Sequence, residues 1–382
     1  MKILINGIAV RGGGPETFLL GLLPHLVKQN DEDQYVLIIP EERKHLYETI
    51  CRKNVCLKTV PKQTVESSVR RLWYEHIVLT LFQTQEKFDV HFRADELLSP
   101  FSRFLPIPSV IVFHATLHML APELSGDSPL KLLYQNQLKK WAMRLAKVSV
   151  TVSSFACKEL TELFPSSQSH IEVIYHGINF DRFLPRNPTS SPLQDRGVES
   201  YLLSVSDRYP HKNFIRLIEA YGMLCQEMDV SQSLVLIGRA KASEEEQQIQ
   251  KTIDNYQIRH KVHILNYVEQ DKLPSLYQGA SIYLFPSIFE TFGFTPLEAM
   301  ACGVPVACAR FSAMPEVCGD AVEYFDPFDV EDIKEKIRSL LTCEKRRKEL
   351  VNLGLKHVKS FTWERAAKDY YRVLCYVAGR SF

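Results

Sequence analysis

The sequence predicts an α/β protein with two domains, each a doubly wound parallel β-sheet covered by helices on both faces. Apolar strand-like runs alternate with amphipathic helical segments along most of the 382 residues, and this alternation is typical of parallel sheets joined by crossover helices. A chain of this length is long enough for two or three domains. Composition also changes after Phe183, where Pro185, Pro188 and Pro192 stand among Thr, Ser and charged residues, as expected of a linker.

Bulk composition excludes several classes of protein. The formal net charge is +1 and the pI is about 7.6, so there is no large basic field for nucleic acid. Nine cysteines are scattered without metal-like spacing, which favours a reducing compartment. No apolar run approaches the roughly 20 residues that cross a bilayer. The first residues resemble a strand rather than a signal peptide, so we expect a cytoplasmic protein, and a peripheral membrane role stays open.

The chain opens with an apolar strand, Lys2 to Val10, followed by Gly12-Gly13-Gly14 and a helix from Pro15 to about Gln29. Glycines at the first strand-to-helix turn let the backbone approach a ligand closely. The spacing is not the G-x-G-x-x-G fingerprint, which disfavours a nicotinamide cofactor. A plain tight turn is the alternative to a phosphate site.

The run Asp31-Glu32-Asp33 has the spacing of an Asp-x-Asp metal motif. It joins the end of the first helix to the next strand, at the sheet edge opposite the strand carboxyl ends where ligands bind. We therefore interpret it as a solvated turn and expect no metal site there.

Two segments combine basic and aromatic residues. Thr64 to His76 carries Arg70, Arg71, Trp73 and Tyr74, and the helix Leu130 to Ala146 carries Trp141 with a set of basic residues. These basic residues are Lys139, Lys140 and Arg144, with Lys147 just beyond the helix. The first segment suits an acceptor groove or a lipid surface, and the second suits contact with anionic lipid headgroups. Ordinary packing with a solvated basic face is the alternative.

Two histidines lie at or near the ends of predicted strands in the first domain region. His114 stands at the carboxyl end of the strand Ser109 to Phe113, and His176-Gly177 ends a later strand that starts at Ile171. A histidine at a strand end is commonly a satisfied polar group, so His114 alone does not define a site.

The second domain begins with the strand Tyr201 to Ser206, and Arg208 and Lys212 flank the turn that follows it. Cations at the carboxyl end of a strand can clamp a diphosphate as it departs with its negative charge. Ordinary surface charge is the alternative.

The most informative stretch runs from Phe289 to Pro305. We predict a short helix there with Thr295 as N-cap and Glu298 at its third position, in a capping box. Glu290 precedes this helix, and Phe292-Gly293-Phe294 lies in the turn between the two carboxylates. The start of such a helix favours an anionic ligand, and an exposed Phe-Gly-Phe beside it is difficult to explain by packing alone. The alternative is that Glu298 only caps its own helix and that Glu290 is a solvated loop carboxylate.

These residues resemble a known family. A Glu, seven residues and a second Glu, with Phe-Gly-Phe inside and Pro-Leu-Glu-Ala-Met-Ala-Cys-Gly-Val-Pro-Val around it, are similar to the retaining nucleotide-sugar glycosyltransferases of family 4, group 1. The resemblance implies the GT-B fold, in which two Rossmann-like domains face a cleft. It places the acceptor-side domain at 1–190, the donor-side domain at 191–362 and a C-terminal helix that packs back on the first domain at 363–382.

The resemblance also implies roles for individual residues. It assigns His114 and Glu290 to the sugar, and Lys212 and Arg208 to the donor phosphates. Ala115 stands where the family often has Asp, which leaves the role of His114 open. Donor contacts are expected from the two glycine turns, the strand ends near the nucleobase and the helix start: Gly13, Gly14, Gly238, Arg239, Val268, Phe292, Gly293, Phe294, Thr295 and Glu298.

The resulting hypothesis is a retaining hexosyltransferase that uses a nucleotide-diphosphate sugar, with mannose favoured, and a glycan or lipid-linked acceptor in polysaccharide biosynthesis. Cationic side chains replace a metal, so we expect no cofactor and no required metal. Partners are the donor, the acceptor and a peripheral contact with the inner membrane surface, but not nucleic acid. The alternatives are an epimerase or phosphorylase with the same fold, or a binding protein without activity.

Overall fold

The computed structural model describes residues 1–10, 13–104, 107–122, 128–165, 167, 169–185, 191–241 and 243–382. The chain divides into two compact units. The first comprises Met1–Met119, Ser128–Gly177 and Phe361–Phe382, and the second is chiefly Ile178–Ser360. The predicted linker residues 186–190 lie outside the described residues.

The first unit is built on a parallel sheet of seven strands in the order β3-β2-β1-β4-β5-β6-β7. The register pairs Ile3 with Tyr35 on one side and with Val90 on the other. Strand order reverses between β1 and β4, so the sheet is doubly wound, as predicted. The strands are β1 (Lys2–Asn6), β2 (Gln34–Pro40), β3 (Val55–Val60), β4 (Val90–Arg93), β5 (Ser109–Phe113), β6 (Val148–Thr151) and β7 (His170–Val173).

Helices cover both faces of this sheet. A π segment, Tyr74–Val78, joins two of them into one continuous run. They are α1 (Gly14–Leu26), α2 (Lys44–Tyr47), α3 (Lys62–Glu66), α4 (Ser68–Trp73), α5 (Leu79–Gln85), α6 (Leu117–Leu120), α7 (Pro129–Leu145), α8 (Ser154–Leu163) and the C-terminal α16 (Trp363–Val377). The first strand and helix are both shorter than predicted, since β1 ends at Asn6 and α1 at Leu26.

The C-terminal helix packs on the first unit, as predicted. Its first residue, Trp363, is buried against α1 at Gly21 and against the backbone of Gly177. A Cβ at Gly21 would lie 2.1 Å from the indole ring. Glycine is therefore required for the close approach of α16 to α1.

The second unit has a parallel sheet of six strands in the order β10-β9-β8-β11-β12-β13. Strand order reverses between β8 and β11, so this sheet is doubly wound as well. The strands are β8 (Tyr201–Val205), β9 (Ser233–Ile237), β10 (Val262–Leu265), β11 (Ile282–Phe285), β12 (Val306–Ala309) and β13 (Glu323–Phe325).

Apolar side chains from this sheet and from the helices beside it form a core of the second unit. Leu202, Leu234 and Leu284 from the strands pack with Leu217 and Ile333 from the helices. The helices of the unit are α9 (Phe214–Glu227), α10 (Ser243–Asn255), α11 (Leu273–Gln278), α12 (Phe294–Ala301), α13 (Met314–Cys318), α14 (Val330–Thr342) and α15 (Glu344–His357). The core fixes the strand ends from which the candidate site is built.

Candidate active site

Two loops meet at the point where the order of the second sheet reverses. The loop after β8 ends at Asn213, and the loop after β11 leads from Pro286 into α12. Open parallel sheets bind ligands at the carboxyl ends of the strands beside such a reversal. The candidate active site of the second unit is therefore formed by these loops.

Buried hydrogen bonds hold the two loops together. Asn213 adopts the left-handed conformation with φ +58°, which Asn tolerates better than most residues. Its buried side-chain amide donates to the carbonyl oxygens of Pro286 at 3.2 Å and Pro327 at 2.7 Å. The backbone N–H of Ile288 donates to the His211 carbonyl at 2.8 Å. The side chains that project from these loops thus have a defined relative position.

Lys212 and Glu290 form an ion pair across the two loops. Their side chains are 17% and 14% exposed respectively, so water screens the pair less than it screens a surface pair. The Glu290 N–H donates to the Ser312 hydroxyl at 2.9 Å, and the Glu290 carbonyl accepts from the Ala313 N–H at 3.2 Å. The structure therefore brings together two residues that the sequence identified separately.

The second carboxylate, Glu298, is buried inside α12 rather than engaged in a capping box. The helix begins at Phe294, its N-cap is Gly293 with φ +77°, and no side chain caps it. The predicted cap at Thr295 is therefore wrong. Glu298 instead accepts a hydrogen bond of 2.9 Å from the Tyr277 hydroxyl.

Burial dominates the electrostatics of Glu298. The residue is 9% exposed, and burial raises its pKa to about 7, although the Tyr277 hydrogen bond and the Arg182 charge both act to lower that pKa. A carboxyl group with this pKa gains or loses its proton near neutral pH. The ionised form is an acceptor only and suits a pair of hydroxyl donors.

The Phe292-Gly293-Phe294 turn is less exposed than predicted. Phe292 is 3% exposed, Phe294 is half-buried, and their rings meet edge to face at 5.3 Å. A Cβ at Gly293 would lie 2.7 Å from Cε of Met314. Packing on Met314 therefore accounts for the glycine, and the positive φ of Gly293 sets the direction in which α12 starts.

Arg208 is buried and forms hydrogen bonds within the protein. Its side chain is 1% exposed. The guanidinium donates to Glu246 and to Asn266 Oδ1, each at 2.7 Å, and to the Gly238 carbonyl oxygen. This differs from the phosphate clamp predicted from the sequence. The structure assigns Arg208 to holding the ends of β8, β9 and β10 together.

The other predicted donor contacts lie on neighbouring strand ends. Gly238 follows β9 with φ +145°, and a Cβ there would lie 1.9 Å from the Ser206 carbonyl oxygen. The Arg239 N–H donates to Asp207 Oδ1 at 2.9 Å, while the Arg239 side chain is 57% exposed. Val268 follows β10 and is half-buried. All three belong to the same edge of the second sheet as Lys212.

In the first unit, His114 follows β5 at the carboxyl end of the sheet. Its Nε2 lies 3.0 Å from the Ala94 carbonyl oxygen, which fixes Nε2–H as the donor in the neutral ring. Burial lowers the pKa of His114, partly opposed by the charge of Glu96. The imidazole is therefore neutral at neutral pH. Phe18 contacts the ring edge to face at 4.9 Å.

The glycine turn of the first unit is only partly described. Gly12 lies outside the described residues. Gly13 is the N-cap of α1 with φ +67°, and nothing lies within 4 Å of the position where its Cβ would be. Gly14 is the first residue of the helix, and both glycines are exposed. This turn leaves open space at the start of α1.

Comparison with known proteins places the chain in a family. The profile described as "Glycosyltransferase Family 4" matches residues 12–182, and the profile "Glycosyl transferases group 1" matches residues 190–357. O-antigen chain mannosyltransferase B of Escherichia coli is 30% identical over 260 residues, which are 67% of this chain and 67% of that protein. The chain belongs to the family-4, group-1 glycosyltransferases.

A second relative agrees with this family, and two solved structures share the fold. The serotype-specific mannosyltransferase WbdA of Escherichia coli is 27% identical over 270 residues, which are 69% of this chain but 33% of that protein. The structure of Anabaena HepE in complex with UDP and glucose superposes with a TM-score of 0.77 at 19% identity and covers 98% of this chain and 100% of that one. Sucrose-phosphate synthase from Thermosynechococcus elongatus has a TM-score of 0.75 at 15% identity, with both chains fully covered. The predicted GT-B fold is confirmed.

Sequence reasoning missed the groups that surround His114 in the glycosyltransferase. His176 is 2% exposed and stacks on the His114 ring at 5.5 Å. Both interpretations of the sequence, a solvated face and a lipid contact, required Lys139 to be exposed, but its side chain is 1% exposed and pairs with Glu96 at 3.2 Å. The only signal for the two histidines was their position near the ends of β5 and β7, which lie in one sheet. No local pattern indicates that Lys139 points inward.

Proposed function

We propose that this glycosyltransferase moves mannose from a nucleotide-diphosphate sugar to a glycan or lipid-linked acceptor, with retention of the anomeric configuration. The observation that carries the proposal is the Lys212–Glu290 ion pair at the reversal point of the second sheet, with Glu290 in the loop that leads to α12, where Glu298 is buried. Retention rests on the Glu-x7-Glu resemblance. The choice of mannose rests on relatives that are named as mannosyltransferases of O-antigen chains.

Lys212 supplies positive charge to the departing diphosphate. When the sugar–phosphate bond breaks, negative charge grows on the phosphate oxygens, and a preorganised cation in a partly dry site stabilises that charge. The N–H groups at the start of α12 act in the same direction. Because a side chain provides this charge, the reaction needs no metal, and full activity in the presence of a chelator tests that point.

Two carboxylates of the second unit bind hydroxyl groups of the donor. Glu290 is held by Lys212 and by backbone hydrogen bonds on both sides, so its free acceptor capacity suits a sugar hydroxyl. Glu298 suits the two ribose hydroxyls once it has lost its proton. Since burial raises the pKa of Glu298 to about 7, donor affinity should rise as pH increases through neutrality.

His114 of the first unit is assigned to the sugar by the family resemblance. Its ring is neutral, and the Ala94 carbonyl oxygen fixes its tautomer. A neutral imidazole can form a hydrogen bond to a hydroxyl without adding charge near the reacting carbon. His176, stacked on His114, holds the ring in place.

A panel of nucleotide sugars tests the proposal directly. A ligand at 100 times its Kd stabilises a protein by about 2.7 kcal/mol, so the matching donor should raise the unfolding temperature. We expect GDP-mannose to do so more than UDP-, dTDP- or ADP-sugars. Transfer from GDP-mannose to an alkyl mannoside, with the anomeric configuration of the product read by NMR, then tests retention. Failure of every nucleotide sugar to bind at millimolar levels would overturn the proposal.

A further inference from the structure

One helical run of the first unit exposes a stripe of large apolar side chains. Trp73, Ile77 and Leu81 follow one another at intervals of four along α4, the π segment and α5, and they are 61%, 37% and 56% exposed. Leu79 and Gln83, on the other side of the run, are buried. The core-facing side of this run is thus already occupied, and the apolar stripe faces outward.

Two neighbouring elements expose similar side chains. In the turn Pro100–Phe104, Phe101 is 46% and Phe104 is 71% exposed. At the start of α7, Leu130 is 81% and Leu133 is 59% exposed. Single exposed apolar residues are ordinary, but a group of seven on three elements indicates an interaction site.

The three elements adjoin one another. A 2.9 Å hydrogen bond joins His76 of the π segment to Tyr134 of α7, and these residues are next to Ile77 and Leu133 in sequence. Helix α7 also packs against the turn Pro100–Phe104. The seven exposed side chains therefore lie on three adjoining elements, and together we call them the apolar surface: Trp73, Ile77, Leu81, Phe101, Phe104, Leu130 and Leu133.

Basic residues accompany this surface, although the whole chain has 46 basic and 45 acidic residues. Residues 68–85, 100–104 and 129–145 contain seven Lys or Arg and one acidic residue, Glu75, which is buried beside Arg93. Lys140 and Arg144 continue the exposed face of α7 beyond Leu133. The guanidinium groups of Arg103 and Arg144 lie over the rings of Phe104 and Trp141, at 5.1 Å and 5.9 Å.

We propose that the apolar surface docks on a lipid bilayer that contains anionic headgroups. Leu, Phe and Trp side chains enter the boundary between headgroups and acyl chains, while neighbouring Lys and Arg contact lipid phosphates. A second copy of the chain fits less well, because like charges would then face each other. The sequence-based expectation named Lys139 for such a role, but that side chain is buried. Among the described helices, none is long and apolar enough to cross a membrane, so the contact is peripheral.

This proposal does not depend on the sugar or the acceptor, so vesicle binding tests it apart from catalysis. The full chain should sediment with phosphatidylcholine vesicles that contain phosphatidylglycerol and far less with phosphatidylcholine alone. Trp73→Ser and Leu130→Ser should each weaken binding about tenfold, because each removes a large apolar side chain from the bilayer boundary. Lys140→Glu with Arg144→Glu should weaken binding to the anionic vesicles about 25-fold or more.

Matched controls come from α16. Tyr376 is 60% exposed, close to the exposure of Trp73, and Lys368 is an exposed lysine. Tyr376→Ser and Lys368→Glu should bind vesicles like the unchanged protein, and thermal unfolding confirms that every variant is folded. Absence of binding to anionic vesicles, or equal losses in test and control variants, would overturn the proposal. A lipid-independent dimer that Trp73→Ser dissociates would assign the surface to a second copy instead.

Discussion

Lys212 and Glu290 form an ion pair that joins the loops after β8 and β11. The pair lies where strand order reverses in the second sheet, which is where open α/β sheets bind ligands. The buried Asn213 side chain donates hydrogen bonds to the Pro286 and Pro327 carbonyl oxygens, and the Ile288 N–H donates to the His211 carbonyl oxygen. These bonds fix the backbones of the two loops. The pair is therefore a preorganised polar group whose cation can act on a phosphate and whose carboxylate can act on a hydroxyl.

Replacing Arg208 tests whether this residue is structural. Arg208→Ala removes hydrogen bonds to Glu246, Asn266 and the Gly238 carbonyl, so we expect a loss of about 2–4 kcal/mol in the free energy of unfolding. Urea unfolding of the full chain measures this loss. Arg259→Ala is the control, because Arg259 is 60% exposed and ion-paired at the surface; it should change stability by about 0.5 kcal/mol or less. If Arg208→Ala has unchanged stability but binds the donor more weakly, then Arg208 contacts the donor phosphates, as the sequence-based interpretation proposed.

The raised pKa of Glu298 predicts a distinct dependence of stability on pH. The folded protein keeps this proton up to about pH 7, whereas the usual pKa of the carboxyl group is 4.5. The folded state thus binds more protons than the unfolded state in that window, and the free energy of unfolding falls as pH rises through it. Glu298→Gln keeps the shape of the side chain but cannot ionise. In this variant the free energy of unfolding should no longer show the decrease with rising pH, of up to about 3 kcal/mol, that Glu298 causes.

Denaturant unfolding at several pH values from about 4.5 to about 8 measures this effect. The exposed Glu244 on α10 supplies the control variant Glu244→Gln, which should keep the slope of the unchanged protein. If Glu298→Gln shows the same pH slope as the unchanged protein, then Glu298 is ionised throughout this range and the account of its burial is wrong.

For His176 we expect the opposite dependence on pH: the free energy of unfolding should fall as the pH becomes more acidic. Burial lowers the pKa of His176 well below 6.5. Below about pH 6.5 this imidazole is therefore protonated in the unfolded chain but stays neutral in the folded protein. The free energy of unfolding should fall as pH drops below about 6.5, by about 1.4 kcal/mol per pH unit for one such group. His176→Asn should reduce this slope without abolishing it, because burial also lowers the pKa of His91 and His114.

Thermal or urea unfolding between about pH 5 and about pH 7.5 gives the slope. His45 is exposed, so His45→Asn should leave the slope unchanged. Equal slopes for His176→Asn and the unchanged protein would show that His176 does not resist protonation in the folded state.

Much of the fold could be predicted from the sequence because parallel sheets leave a strong pattern. The strands β1, β5, β8 and β11 are nearly continuous apolar runs that alternate with helical segments, as expected of sheets buried on both faces. The start of α12 was predicted wrongly, since Thr295 and Glu298 match a capping box while the positive φ of Gly293 starts the helix earlier. The capping-box spacing and the glycine indicate different starting points, and in the structure Gly293, which packs against Met314, is the N-cap.

Side-chain partners were the least predictable part of the site. Lys212 and Arg208 have equivalent local signals, yet Lys212 is partly exposed and pairs with Glu290, whereas Arg208 is buried among three strand ends. Lys139 resembles Lys140 in sequence, yet it alone turns inward to Glu96. These differences depend on residues distant in the chain, such as Glu246 and Glu290, whose proximity a single sequence does not reveal.

The most direct test of the central claim is the rate at which donor is cleaved by Lys212→Ala. With GDP-mannose and an alkyl mannoside, we expect turnover to fall about 10²–10³-fold, as for the loss of one preorganised group that stabilises developing charge, while the protein stays folded. Lys336→Ala removes another ion-paired lysine, the partner of Glu323 at 3.4 Å, and should leave turnover unchanged. Full turnover in Lys212→Ala would contradict the claim that this side chain stabilises the departing diphosphate.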